Sequence, residues 1–208
     1  MELFYGRTSG NSARAAFSLF EAGASWQPRL VQWGAGANRA ADYLALNPMG
    51  KMPVLKDGAL VLWESNAINW YVAETHPTAG LLPESHAARA AVQRWLYFQV
   101  GHVTPACFQI IRATNPHIQE SMRVTRDAPS VTAARLELAR FLPVVDRALE
   151  DREWLEGAFS LADVAYAPHL SMIMEGGFDF APYPALRGWL ERLLARPAWR
   201  KTAELVWG

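Results

Sequence analysis

A change of hydrophobic period near residue 84 constrains this chain more than any other feature. Before it, short apolar runs alternate with helix-like stretches; after it, only helical spacing appears. Residues 2–5 (ELFY) alternate polar and apolar, as a short strand does. Residues 6–10 (GRTSG) are turn formers, and residues 12–22 are rich in helix formers with Gly23 at the stop position. Residues 26–33 alternate again, and Asn38 is placed to cap a short helix reaching about Leu46. Asp57-Gly58 separates the apolar runs 54–56 and 59–62, a strong hairpin signal. Ser65 then reads as the N-cap of a helix carrying Ile68, Tyr71, Val72 and Thr75 on one face. The order is β-α-β-α-β-β-α, its first β-α-β parallel and right-handed and its final hairpin antiparallel.

Residues 77–83 (PTAGLLP) read as a linker. Beyond it, three stripes keep helical spacing: Val92, Trp95, Leu96, Gln99, Val100 and Val103; Leu138, Phe141, Leu142, Val145 and Leu149; Leu186, Trp189, Leu190, Leu193 and Leu194. The chain is therefore α/β plus all-α, with an α/β domain over residues 1–78 and an all-helical domain over residues 85–208.

Composition excludes several classes of function. Hydrophobic residues make up 51% and charged residues 19% of the 208 residues, a globular balance. Twenty basic residues match twenty acidic ones without a basic run, so no electrostatic footprint for nucleic acid or an anionic membrane exists. No apolar run approaches the ~18 residues that span a bilayer, and the N-terminus shows no signal sequence. The single cysteine, Cys107, precludes an internal disulfide framework and a multi-cysteine metal site, so no metal is expected. A soluble, cytoplasmic protein is the expectation. The nine tryptophans fit core and interface packing.

Two motifs carry chemistry. In NPMGKMPVL (47–55), Pro53 opens an apolar strand, where proline costs a ladder hydrogen bond. A cis Met52-Pro53 bond explains that placement and leaves the Met52 backbone facing outward, able to pair with a peptide. A trans proline opening an edge strand fits the motif equally well. In LWESNAI (62–68), the helix start at Ser65 offers free N–H groups and a macrodipole to a carboxylate, while Glu64 can accept from an ammonium. Together they read as an α-amino-acid clamp; alone, each also fits an ordinary cap or surface acid.

The conjunction of these motifs resembles the glutathione transferase superfamily, in its serine-type or related bacterial-like cytosolic classes. The resemblance runs through ELFYG, SGNSARAAFSLFEAG, NPMGKMPVL, DGALVLWESNAI, the proline-bounded linker, FSLADVAYAP (159–168) and RPAWRK (196–201). It implies a thioredoxin-like N-terminal domain joined to a helical C-terminal domain, usually in a homodimer. It also implies glutathione as co-substrate, with no other cofactor. Pro53 is then the cis-proline, and Met52 pairs its backbone with the cysteinyl unit. Glu64 and Ser65 hold the γ-glutamyl end, and Lys51 reaches the glycyl carboxylate. Ser160-x-x-Asp163 is a capping-box-like start that in the family serves folding.

Glutathione must be activated, because a free thiol has a pKa of about 8.5 and the thiolate is the nucleophile. Lowering that pKa by roughly two units takes about 2.7 kcal/mol, within reach of one charge-assisted hydrogen bond plus a helix dipole. The donor belongs between strand 1 and helix 1. Ser9 is the first candidate, placed like the activating serine of the serine-type classes. Asn11 is the second, since some family members acting on disulfides use a polar amide here. Ser12 reads better as an N-cap, and Tyr5 as core or cleft wall. Thr8 is a candidate electrophile contact, and so is His102, on the helix that borders the family's electrophile pocket, which reads equally as a packed core histidine. Cys107 reads as a buried small hydrophobe, and Pro168 as a kink in a helical run.

The expected function is conjugation of glutathione thiolate to a small hydrophobic electrophile. The alternatives are glutathione-dependent disulfide reduction on the same fold and a non-catalytic binding module.

Overall fold

In the computed structural model of the chain, residues 1–115, 118 and 128–208 are described. Four short strands form one sheet in the order β2-β1-β3-β4. β1 (Glu2–Tyr5) pairs in parallel with β2 (Gln27–Leu30) and antiparallel with β3 (Val54–Asp57), which pairs antiparallel with β4 (Leu60–Trp63). Helices α1 (Gly10–Glu21), α2 (Ala41–Leu46) and α3 (Ser65–Thr75) complete the β-α-β-α-β-β-α order read from the pattern. This is a thioredoxin-like domain. The Asp57-Gly58 turn closes the hairpin with Asp57 opposite Leu60.

The small residues of α1 let it sit closely on the sheet. Ala13 and Ala16 are fully buried with Leu19, Leu3 and Leu55 in one core cluster. Ile68 and Val72 of α3 enter the same cluster, as their helical spacing requires. On the other side of the sheet Val31, Tyr43 and Val54 form a second cluster.

Three local expectations are corrected. β2 stops at Leu30, and the chain then makes 3-10 turns at Trp33–Ala35 and Ala37–Arg39. Asn38 does not cap α2; its side-chain amide donates to the Gly50 carbonyl at 2.8 Å, and Ala40 holds the cap position without a side-chain bond. Pro168 does not kink a continuous helix. It lies in the first turn of a new one, where its missing N–H costs nothing.

The second part is helical: α4 (His86–Phe98), a π-helical turn Gln99–Val103, α5 (Thr104–Thr114), α6 (Ala128–Ala148), α7 (Leu161–Val164), α8 (Ala167–Glu175) and α9 (Pro184–Ala195). The expected stripes face inward: Val92, Leu138, Leu142, Val145, Leu186, Trp189 and Leu190 are all fully buried, whereas Val100 is exposed. Full burial of such a side chain contributes roughly 1.5–3 kcal/mol.

One boundary differs from the expected 85–208. Residues Pro197–Gly208, including α10 (Pro197–Trp207), belong to the first compact unit with Met1–Leu81, and the second unit is Leu82–Arg196. Val206 joins the core cluster beside α1, and Trp199 meets Phe17 edge to face at 5.3 Å. An amphipathic stripe states that a helix has a buried face, not which core receives it. Among the described residues, no helix is long and apolar enough to cross a membrane.

Candidate functional site

The first candidate site is the turn between β1 and α1. Ser9 is the N-cap of α1: its backbone is extended and its hydroxyl accepts the Ser12 N–H at 3.2 Å. The cap expected at Ser12 therefore sits three residues earlier. Ser12 is fully buried instead, and its hydroxyl accepts the Gly6 N–H at 3.1 Å. The two serines thus fold the turn back onto the helix start. Ser9 stays half-buried, and as an acceptor from Ser12 it keeps its own hydroxyl proton to donate.

Thr8, next to it, has φ 58°, an uncommon conformation for a β-branched residue. Its N–H donates to the Val206 carbonyl at 3.0 Å, which anchors the turn on α10. Tyr5 is a core residue at 7% exposure and belongs to the main cluster, in keeping with its place within β1.

The second element is the turn into β3. The Met52-Pro53 peptide bond is cis. The carbonyl of Lys51 is fixed from two sides, by the Tyr43 hydroxyl at 2.9 Å and the Asn47 amide at 2.7 Å. Burial pushes the Tyr43 pKa up to about 12, so its hydroxyl keeps the proton it donates. The Lys51 side chain is exposed. Among the described residues, no hydrogen bond uses the N–H or C=O of Met52. A Cβ on Gly6 would lie 2.8 Å from the Met52 sulfur, so the absence of a side chain at Gly6 lets this turn pack against the β1–α1 turn. Gly50 is needed for its φ of +62° and because a Cβ there would meet the Asn38 carbonyl at 2.7 Å.

The third element is the start of α3. Ser65 is its first residue, and Glu64, with φ 70°, holds the cap position without a side-chain cap bond. The cap thus lies one residue earlier than expected. The first intrahelical bond runs from Ile68 N–H to Glu64 C=O, so the N–H groups of the first turn lie outside the ladder. No acidic side chain stands in that turn. Glu64 is exposed and Ser65 is 6% exposed.

A residue that sequence reasoning missed links these elements. Arg14, 2% exposed, sits on α1 and donates from Nη1 to Asn11 Oδ1 and to Ser65 Oγ, each at 2.8 Å. The available signal was an arginine inside the otherwise small and apolar run SARAAF, on a helix whose neighbours are all buried. Asn11 itself is exposed. Asn11, Arg14 and Ser65 therefore belong to one hydrogen-bonded assembly at the starts of α1 and α3, and Ser9 caps the same α1 start.

A family model for the glutathione S-transferase N-terminal domain matches residues 1–74, and one for its C-terminal domain matches residues 102–197. Glutathione S-transferase 3 of Zea mays is 33% identical over 95% of this chain and 90% of its own length. The chain belongs to the glutathione S-transferase superfamily. Among its relatives is also the disulfide-bond oxidoreductase YfcG of Escherichia coli, 30% identical over 95% of this chain and 92% of its own. A theta class glutathione S-transferase from Xanthomonas axonopodis pv. citri, solved with glutathione bound, superposes with a TM-score of 0.87. It is 30% identical, and the match covers 97% of this chain and 95% of that one. As a glutathione S-transferase, the protein is a transferase enzyme on a thioredoxin-like plus helical fold.

In the second unit of this glutathione S-transferase, His102 lies on the π-helical turn, with its ring centroid 5.3 Å from that of Phe98 and 5.1 Å from that of Phe141. Cys107 is fully buried. The SLADV segment forms the anticipated capping box: Ser160 Oγ accepts at the start of α7, and Asp163 Oδ2 accepts the Ser160 N–H at 2.9 Å. Asp163 Oδ1 also accepts from Leu155 N–H at 3.0 Å and Trp189 Nε1 at 2.9 Å. Burial pushes the Asp163 pKa up to about 6 against these bonds, which favour the charged form.

Proposed function

We propose that this glutathione S-transferase takes glutathione as co-substrate and conjugates its thiolate to a small hydrophobic electrophile. The observation that carries the reading is the helix start at Ser65: an N-terminal turn without an acid of its own, backed by the guanidinium of Arg14. Such a start favours an added carboxylate through its N–H groups and its macrodipole. The γ-glutamyl carboxylate fills that role, and Glu64 accepts from its α-ammonium. The uncommitted backbone of Met52 matches the cysteinyl amide as a one-residue strand addition. Lys51, whose side chain is exposed, takes the glycyl carboxylate.

Ser9 donates its hydroxyl proton in a hydrogen bond to the thiolate, from the N-terminal end of α1. The thiolate electron pair then forms the new bond to the electrophilic carbon, and the leaving group departs with the pair it held. Thr8 and His102 are the proposed electrophile contacts. The Xanthomonas axonopodis pv. citri structure with glutathione bound and the Zea mays glutathione S-transferase support the glutathione part of this reading. Detoxification is the role such conjugation serves.

A second reading, reduction of small disulfides by bound glutathione, is favoured by Asn11, whose amide is fixed by Arg14, and by the YfcG relative. Parallel assays decide between them. With a chlorodinitrobenzene-type electrophile, Ser9→Ala is expected to lower kcat at neutral pH by about a hundredfold with the KM for glutathione little changed. Unchanged turnover would remove Ser9 as activator. Hydroxyethyl disulfide turnover that exceeds conjugation and collapses in Asn11→Ala would establish the second reading. An electrophile KM unmoved by Thr8→Ala and His102→Ala would remove those two contacts.

The enzyme is further proposed to act as a homodimer. Leu60, Val61 and Trp63 along β4 are 38%, 37% and 40% exposed, an apolar edge that a second copy would cover. Sedimentation at the mass of a single chain would contradict this.

A further inference from the structure

Hydrogen-bond chemistry fixes more at Arg14 than the distances alone. A guanidinium can only donate. Because Arg14 Nη1 stands 2.8 Å from the Asn11 side-chain oxygen, the Asn11 –NH2 group must point the other way. Because the same nitrogen stands 2.8 Å from Ser65 Oγ, the Ser65 proton cannot lie between them and must also point elsewhere. A hydroxyl that accepts from a cation is also polarised into a stronger donor.

The framework behind these groups is rigid. Arg14 is 2% exposed and Asn69, on α3, is fully buried. With its amide nitrogen turned toward the neighbouring oxygens, Asn69 donates to the Arg14 carbonyl at 3.2 Å and to the Ser65 carbonyl at 3.0 Å. The backbones of Arg14 and Ser65 are thus tied as well as their side chains, across 51 positions of sequence.

We infer that Arg14 is a positioning residue of the site: one guanidinium nitrogen sets the polarity of both Asn11 and Ser65, turning each into a donor aimed away from the guanidinium. Resting on the glutathione reading, the inference assigns Ser65 Oγ–H to the γ-glutamyl carboxylate and Asn11 Nδ2–H to the sulfur. Arg14 touches neither end of the ligand. It couples the group that holds the peptide to a group that tunes the thiol, so damage to it is felt at both ends.

The test uses the full-length enzyme and four variants: Arg14→Met, Arg14→Lys, Asn11→Ala and the double Arg14→Met/Asn11→Ala. Calorimetry with glutathione on the wild type is read first. No binding there overturns the glutathione reading and this inference with it; binding isolates the question to Arg14. The expected result for Arg14→Met is a KM for glutathione raised about tenfold. The midpoint of the pH profile of kcat/KM should also rise, by about half a unit or more. In the Asn11→Ala background the pH shift should vanish while the KM effect, which runs through Ser65, persists. Arg14→Lys keeps the charge and is expected to recover KM more fully than the pH midpoint, since one ammonium does not hold two acceptors in one plane. Should Arg14→Met fail to fold, Arg14→Lys with and without Asn11→Ala gives the same decision. A folded variant with wild-type KM and midpoint, or a pH shift equally large with and without Asn11, overturns the inference.

Discussion

The helix starts at Ser65 of α3 and Ser160 of α7 are built for opposite ends. At α7, Ser160 and Asp163 satisfy each other, and Asp163 also accepts from Leu155 and Trp189. The anion that a helix N-terminus attracts is supplied by the chain itself and sealed in a fully buried position. At α3, no acid stands in the first turn, and the charge behind Ser65 is the cation Arg14. One start is complete within the fold; the other, in the reading proposed above, is completed by a carboxylate of the ligand. The two starts differ in the sign of the charge that backs them and in whether an acid of the chain stands in the first turn, which is the ground for proposing a ligand carboxylate at α3 alone.

The largest effect is expected at the completed start. Asp163→Ala leaves the N–H groups of Leu155, Ser160 and Trp189 without their acceptor, and should cost at least about 3 kcal/mol of unfolding free energy. Chemical denaturation measures it, and a loss below about 1 kcal/mol would break the contrast.

The pH dependence sharpens the same contrast. The Asp163 carboxyl titrates at about 6 in the folded state against 3.8 unfolded, so the folded state holds the extra proton between those values. That contribution is fully present below about pH 4 and is lost as pH rises through 6. Relative to Asp163→Asn, which does not titrate, the wild type should lose roughly 3 kcal/mol between pH 4 and pH 7. A constant difference between the two proteins would show that the hydrogen bonds, not burial, govern this carboxyl.

Most of the architecture was legible because its signals are local. The Asp57-Gly58 hairpin, the buried faces of Ile68 and Val72, and the Ser160–Asp163 box each lie within a few residues of chain. The misreadings fall where backbone conformation or distant pairing decides. The cap of α3 shifted by one residue because Glu64 takes a positive φ, which glutamate does not advertise. Asn38 looked like a cap because nothing near it reveals the Gly50 carbonyl twelve residues on. Within the Tyr5–Ser12 window, which serine caps α1 and which is buried under the turn depends on a backbone shape that Thr8 and Val206 help to fix. Arg14 was invisible as a site residue because its partner Ser65 is 51 positions away. A lone arginine in the small and apolar run SARAAF signals burial but not the partner it reaches.

The incomplete start carries the central claim, and calorimetric titration of glutathione into the wild type and Ser65→Ala tests it most directly. The wild type is expected to bind and Ser65→Ala to bind about tenfold more weakly, with unfolding free energy changed by only about 1 kcal/mol. Equal affinity in the two proteins, or no binding by the wild type, would contradict it.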